Sequence, residues 1–340
     1  MNSWMAITIS VFFGFVVAFF SGFVVIPWLH KKQAGQVIPV SHAFRKRNYT
    51  PTMGGILIAA GVAVSLSVVL VTDKLLGGDI VAEGIVDSDT EKAKLFSSIL
   101  MAFSFGFIGF FDDYIKASGK RSFGLSIRQR ALMEIIVITG YLWSLHMTGA
   151  TYISVPFAGN ADTGLFFWLA GPAIMYITMH SVRLSDSTDG LCSASTAVFV
   201  VSVAVIALAK GLFGAGLLCA AAAGVLAGFF IWNVYPSKVR LGSTGSMLLG
   251  GLIIAAAYCV NMPWIIALSG IGFMVEAATY AMHIFRYKTT GGKKLLKRAP
   301  LNLHLEECGW KAKRIVTAFS AMNITGSLIA ILLVLAGRPE

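Results

Sequence analysis

WMAITISVFFGFVVAFFSGFVVIPWL, residues 4–29, holds no charged side chain and runs directly into His30, Lys31 and Lys32. About 20 mostly apolar residues suffice for a helix to cross a bilayer, and this run exceeds that. It is also too long for the apolar stretch of a secretory signal and continues straight into basic residues, so no cleaved leader is expected. Nine further runs follow, at 54–71, 95–111, 131–149, 165–182, 191–209, 215–235, 245–262, 263–285 and 315–337. The eighth and ninth are joined by little more than Asn261, Met262 and Pro263. The expectation is an all-α, polytopic integral membrane protein with ten transmembrane helices and both termini external. Composition agrees. Of 340 residues, 56% are hydrophobic and 13% charged, about half the charged share of a soluble domain. The mean hydropathy of +0.77 favours one membrane-embedded unit over 1–340 rather than two soluble domains.

The net charge of +11 would suggest a nucleic-acid partner in a soluble chain. Its distribution says otherwise. Of the 27 Lys and Arg residues, 22 fall in the connections after spans one, three, five, seven and nine, and 5 in the others. The positive-inside rule makes the first set cytoplasmic, so nucleic acid is excluded and anionic lipid headgroups become the ordinary partner of that charge. The four cysteines (Cys192, Cys219, Cys259, Cys308) form no CxxC pair, so neither a zinc site nor a disulfide framework is indicated. Trp4, Trp28, Trp232 and Trp264 lie near span ends and read as interfacial anchors.

Polar clusters gather on the same side, in loops 30–53, 112–130, 183–190, 236–244 and 286–314. Gly109-Phe-Phe-Asp112-Asp113-Tyr114-Ile115-Lys116 ends the third span, with Lys120 and Arg121 beyond it. Adjacent carboxylates at a membrane boundary are costly unless hydrated, paired or holding a cation. Asp186 and Asp189 follow span five at an i, i+3 spacing that shares one face of a helical turn. Gly242-Ser243-Thr244-Gly245-Ser246 opens span eight, a composition suited to a backbone that approaches phosphate at a helix N-terminus. Four carboxylates with basic and glycine-rich loops fit phosphate-bearing ligands, one soluble and one lipid-linked. Walker A, HExxH and Ser-His-Asp patterns are absent from the sequence.

With these motifs the chain resembles the polyprenyl-phosphate N-acetylhexosamine-1-phosphate transferases, and most closely the phospho-N-acetylmuramoyl-pentapeptide transferase (translocase I) family. Thr50-Pro51-Thr52-Met53-Gly54-Gly55, the Asp112-Asp113 segment, Asp189-Gly190-Leu191, Asn233-Val-Tyr-Pro236 and Gly309-Trp310 carry the resemblance nearly end to end. It implies a magnesium-dependent transfer of phospho-N-acetylmuramoyl-pentapeptide from UDP to undecaprenyl phosphate, at the bacterial plasma membrane, in a dimer. It also implies roles. Asp112 and Asp113 would handle the lipid phosphate and its proton, and Lys116 and Lys120 would hold phosphate oxygens. Asp189 and Asn233 would contact the nucleotide, Asp186 would line the same site, and His304 would be the catalytic histidine.

Departures fall on that site. Ser243 stands where the family has its metal-binding aspartate, His180 and Arg183 stand at two asparagine positions, and Arg240 stands at the uracil-stacking aromatic. Asn302-Leu303-His304 replaces a histidine triplet. Losing a carboxylate and gaining two arginines opposes magnesium by direct repulsion, and the missing asparagines and uracil-stacking aromatic argue against UDP-N-acetylmuramoyl-pentapeptide. Arginines could clamp phosphate oxygens instead, or Arg183 could simply pair with Asp112 or Asp113. Three readings stay open. One is a catalytically inactive paralogue that binds lipid phosphate, alone or paired with an active homologue. Another is an active transferase of altered specificity or nucleoside-antibiotic resistance. The last and least favoured is a lipid flippase or transporter, because Glu134 and Glu276 are the only acids inside the spans, too few for an ion pathway.

Overall fold

The computed structural model describes residues 2–33, 50–81, 88–118 and 124–337. Among them run twelve helices: α1 Ser3–Gln33, α2 Gly55–Leu75, α3 Ser88–Ser118, α4 Ile127–Met147, α5 Leu165–Ser185 and α6 Leu191–Ala209, then α7 Phe213–Asn233, α8 Gly242–Cys259, α9 Ile265–Ser269, α10 Ile271–Thr289, α11 Leu301–Glu307 and α12 Ala312–Ala336. Eight (α1, α2, α3, α5, α6, α7, α8 and α12) are long and apolar enough to cross a membrane. The chain is therefore an all-α polytopic membrane protein. The two other expected spans are occupied by α4 and by α9 with α10, which carry more polar residues. Arg128, Arg130 and Glu134 lie on α4, and Glu276, His283 and Arg286 on α10.

Helix α8 is the axis of the bundle. It is buried along most of its length and packs against α3, α5, α2 and α6. Without a hydrophobic drive between helices in lipid, close approach depends on small residues. The α3–α8 crossing uses one where it matters most: a side chain at Gly109 would start 2.2 Å from the Ser243 carbonyl oxygen. That contact sets the end of α3 beside the start of α8. Helix α4 is opened by a capping box, the Ser126 hydroxyl accepting from the Gln129 amide.

Four features differ from the sequence expectation. Helix α3 begins at Ser88 and continues to Ser118, so Asp112 and Asp113 lie inside it rather than after it. The connection 150–164 contains a hairpin, β1 Tyr152–Val155 pairing antiparallel with β2 Gly159–Asp162. The hairpin is tied to the α8–α9 turn, where Ser154 donates its amide to the Asn261 carbonyl at 2.8 Å and the Trp264 indole donates to the Ser154 carbonyl at 2.8 Å. The ninth span is broken at Gly270 into α9 and α10. Trp232, read as an interfacial anchor, is 8% exposed; its indole donates to the Phe19 carbonyl.

Candidate functional site

Asp112 and Asp113 are consecutive on α3 and face different ways. Each is almost fully buried. Asp113 meets the first turn of α8, where its Oδ1 accepts from the Ser243 amide at 3.1 Å. Its Oδ2 accepts from the Thr244 amide at 2.8 Å and the Thr244 hydroxyl at 2.7 Å. Unsatisfied amides and the positive end of the dipole make a helix start attractive to anions. The sequence suggested a phosphate for this position; the structure places the Asp113 carboxylate there. Gly242, at φ +71°, makes the turn into α8, and a side chain on it would start 2.6 Å from Asp113 Oδ2.

Asp112 closes on its other neighbours. Its Oδ2 accepts from Lys116 Nζ at 2.5 Å and from the Ser243 hydroxyl at 2.6 Å, and its Oδ1 from the Leu125 amide at 2.9 Å. Lys116 also lies 3.3 Å from Ser243 Oγ. The segment 51–55 is laced to the approach of α8. Arg240 donates its amide to the Pro51 carbonyl at 2.9 Å, and Gly54 and Gly55 donate to the Arg240 and Leu241 carbonyls. Asp112, Asp113, Lys116 and Ser243 thus form one cluster; Lys120 lies outside the described residues, as does most of loop 30–53.

Magnesium takes six oxygens, commonly one or two carboxylates with substrate phosphates and waters. The residues here do not fit it. Lys116 and Ser243 already converge on Asp112, both oxygens of Asp113 are turned to α8, and the third carboxylate of the family pattern is a hydroxyl. Among the described residues no three His, Cys, Asp or Glu side chains are grouped to hold a metal.

Arg183 pairs with neither Asp112 nor Asp113. Its Nη1 lies 3.9 Å from Oε1 of Glu134, whose same oxygen is 3.7 Å from Arg130 Nε; Glu134 Oε2 is 3.9 Å from His180 Nε2. Glu134 is 1% exposed, and neither of its oxygens has a hydrogen-bond partner among the described residues. The guanidinium of Arg183 still interacts electrostatically with Asp112 and Asp113, so the two clusters adjoin. The sequence reading missed Arg130 and Thr244. The available signal was the i, i+4 spacing of Arg130 and Glu134 on α4.

Beyond α5 the chain turns through 186–190. Arg240 donates its Nη2 to the Asp186 carbonyl at 3.2 Å. Burial pushes the Asp186 carboxyl from its ordinary 3.8 up to about 7, with Arg240 pulling the other way and Asp113 and Asp189 adding to the rise. A carboxyl raised on folding favours the native state fully only below its unfolded pKa, and that contribution is lost as pH rises to the folded value. Asp186→Asn is therefore expected to match the native chain in stability near pH 4 and to exceed it increasingly up to about pH 7, as read from thermal unfolding midpoints across that range.

Asn233 is buried, accepting from the Ser193 hydroxyl at 2.8 Å and donating to the Val239 carbonyl at 3.0 Å. On the other side, α11 docks onto 186–190. Asn302 donates to the Ser187 hydroxyl at 2.5 Å and Thr188 to Glu306 at 2.9 Å. The Asn302 amide donates to Glu276, which is fully buried in this chain. His304 accepts from the Lys297 amide at Nδ1 and sits 3.8 Å from the Cys308 sulfur at Nε2. Between α11 and the α7–α8 connection lies a cavity of about 950 Å³, bordered by Asp189, Tyr235, Arg298, Leu303, Trp310 and Lys311. Asp112, Asp113, Lys116 and Ser243 are not part of its wall.

The segment that carries α3 through α8, residues 95–261, matches the family described as glycosyl transferase family 4. A Clostridium perfringens (strain SM101) protein described as phospho-N-acetylmuramoyl-pentapeptide-transferase is 32% identical over 332 residues, covering 96% of this chain and 95% of its own. A Bacillus mycoides (strain KBAB4) protein of the same description is 32% identical over 315 residues, 90% of each chain. The chain belongs to the phospho-N-acetylmuramoyl-pentapeptide-transferase family.

Proposed function

We propose that this protein is a non-transferring member of its family that holds polyprenyl phosphate, of the undecaprenyl phosphate kind, without magnesium. It crosses the bacterial plasma membrane ten times, with both termini external and the Asp112 cluster facing the cytoplasm. It acts as a lipid-phosphate binder, alone or paired with an active homologue. The observation that carries this reading is the closure of Asp112 by Lys116 at 2.5 Å and by Ser243 at 2.6 Å. A phosphoryl transfer between two anionic partners needs its charge neutralised, and here the cation of the cluster is already committed to an internal carboxylate. Asp113 serves the α8 start rather than a substrate proton.

A second reading, an active transferase of altered specificity, draws on the cavity of about 950 Å³ beside Asp189 and Trp310, which has room for a nucleotide sugar. Binding separates the metal-free reading from its opposite. Undecaprenyl phosphate is expected to bind the purified protein equally well with magnesium and with a chelator. Loss of binding on chelation would contradict the metal-free site.

A further inference from the structure

Helix α3 carries polar chemistry at both ends. Asp112 and Asp113 lie toward its C-terminus, and near its N-terminus Glu91 borders a second cavity, of about 540 Å³. The hairpin and the α6–α7 and α8–α9 turns complete the wall, with Tyr152, Ser154, Asn160, Lys210 and Asn261 in it. The volume is that of a small-molecule site, but the lining is mostly polar where such sites are mostly apolar.

The hairpin supplies much of that polarity. Side chains alternate along a strand, and directly paired residues share a face. Ser154 pairs with Asn160, so Tyr152, Ser154 and Asn160 stand on one face and Ile153 and Val155 on the other. A hairpin that only capped the bundle would turn its apolar face inward. Here the polar face borders the cavity, and Val155 is 37% exposed. That face is held rigidly at Ser154, whose amide and carbonyl are both bonded and whose hydroxyl accepts from Lys210 Nζ at 3.0 Å.

Two groups of the wall are unspent. Lys94, 1% exposed, donates to Glu91 Oε1 at 2.6 Å and to Asn261 Oδ1 at 3.5 Å. Glu91 Oε2 is left as an acceptor and Asn261 Nδ2 as a donor. Neither has a hydrogen-bond partner among the described residues, and neither is sealed from the cavity. Asn261 is itself only 8% exposed, in a left-handed turn at φ +55°. Buried polar groups are ordinarily bonded, so this amide and carboxylate call for a ligand that both donates and accepts. Adjacent hydroxyls do so: one gives its hydrogen to Glu91 while its neighbour accepts from Asn261. Lys94 cancels the Glu91 charge, so the pair does not draw a cation. Tyr152 adds a ring with an apolar body and a polar tip, and Asn160 a further amide. What borders the cavity is the hairpin's side-chain face, not a strand edge, so an added peptide strand is not its complement. We propose that this cavity binds neutral saccharides, at a site separate from the Asp112 cluster and from the cavity beside Trp310.

The test titrates the full-length protein in nanodiscs with methyl glucoside, methyl galactoside and methyl mannoside, followed by ligand-observed NMR. At least one is expected to bind saturably, in the millimolar range proper to so small a ligand. Asn261→Gly keeps the left-handed turn and removes the amide, and should weaken that binding by roughly tenfold. Glu91→Gln with Lys94→Met removes the buried ion pair as a unit, leaving no uncompensated charge, and should weaken it by a similar factor. Asn160→Ala, on an exposed strand whose side chain holds nothing else among the described residues, should weaken it about threefold or more without touching the fold. A native chain that binds none of the three glycosides saturably would overturn the site. Binding left unchanged by all three variants would also overturn it, because the sugar would then sit elsewhere. Equal binding of the uncharged dipeptide N-acetyl-alanyl-alanine amide would overturn the assignment to saccharides.

Discussion

Ser243→Asp is expected to give the protein a magnesium response, and the native chain none. The Ser243 hydroxyl lies 2.6 Å from Asp112 Oδ2, and its amide already donates to Asp113. A carboxylate at this position brings three acids around one lysine. In chelator the variant should be less stable than the native chain, because like charges in a buried site repel. Added magnesium should reverse this by binding only the folded state, worth about 2.7 kcal/mol at one hundred times the dissociation constant. The native chain should show no shift in unfolding midpoint over the same titration. Adding Arg183→Asn to Ser243→Asp should strengthen magnesium binding further by removing a nearby positive charge. An unresponsive double variant would mean that Ser243 is not at a latent metal position.

Asp113→Asn should damage the fold. In the resemblance this aspartate handles a substrate proton, and its amide would then leave structure intact and abolish activity. In the structure it accepts two amides and a hydroxyl at the start of the most buried helix. An amide group there loses the charge and turns one donor toward other donors. Hydrogen bonds to a charged group contribute about 1.5–3 kcal/mol each, and orphaned buried donors add their own desolvation cost. A loss of roughly 3 kcal/mol or more is expected, read as a lowered unfolding midpoint or loss of monodisperse protein on extraction. Asp112→Asn, which keeps an oxygen for the Leu125 amide, should lose less.

Much of the fold was legible because spanning a bilayer writes itself into composition as long apolar runs. Where other forces act, the sequence was silent. The start of α3 carries Asp89, Glu91, Lys92 and Lys94, charges that lie outside the apolar run at 95–111. Lys94 is nonetheless 1% exposed, neutralised by Glu91 at 2.6 Å one helical turn away. The hairpin at 152–162 depends on the Asn261 and Trp264 contacts, which no local pattern announces. Gly270 breaks a run whose hydropathy is continuous.

The site was legible to different degrees. That Asp112 and Ser243 meet followed only from the resemblance, since 131 residues separate them. That the α8 start is answered by Asp113 rather than by a ligand required the geometry of the α3–α8 crossing at Gly109. Glu134 stood out only as an acid inside a span. Its partners His180 and Arg183 lie on the next transmembrane helix, and no spacing in the chain links the two. Arg240, grouped with Arg183 by charge, instead holds the Asp186 carbonyl.

The most direct measurement is UMP release by the purified full-length chain supplied with UDP-N-acetylmuramoyl-pentapeptide, undecaprenyl phosphate and magnesium. A site closed by Lys116 and Ser243 predicts no UMP above the protein-free rate, with undecaprenyl phosphate still bound. Sustained release in the ordinary enzymatic range of about 1 s⁻¹ or faster would contradict it.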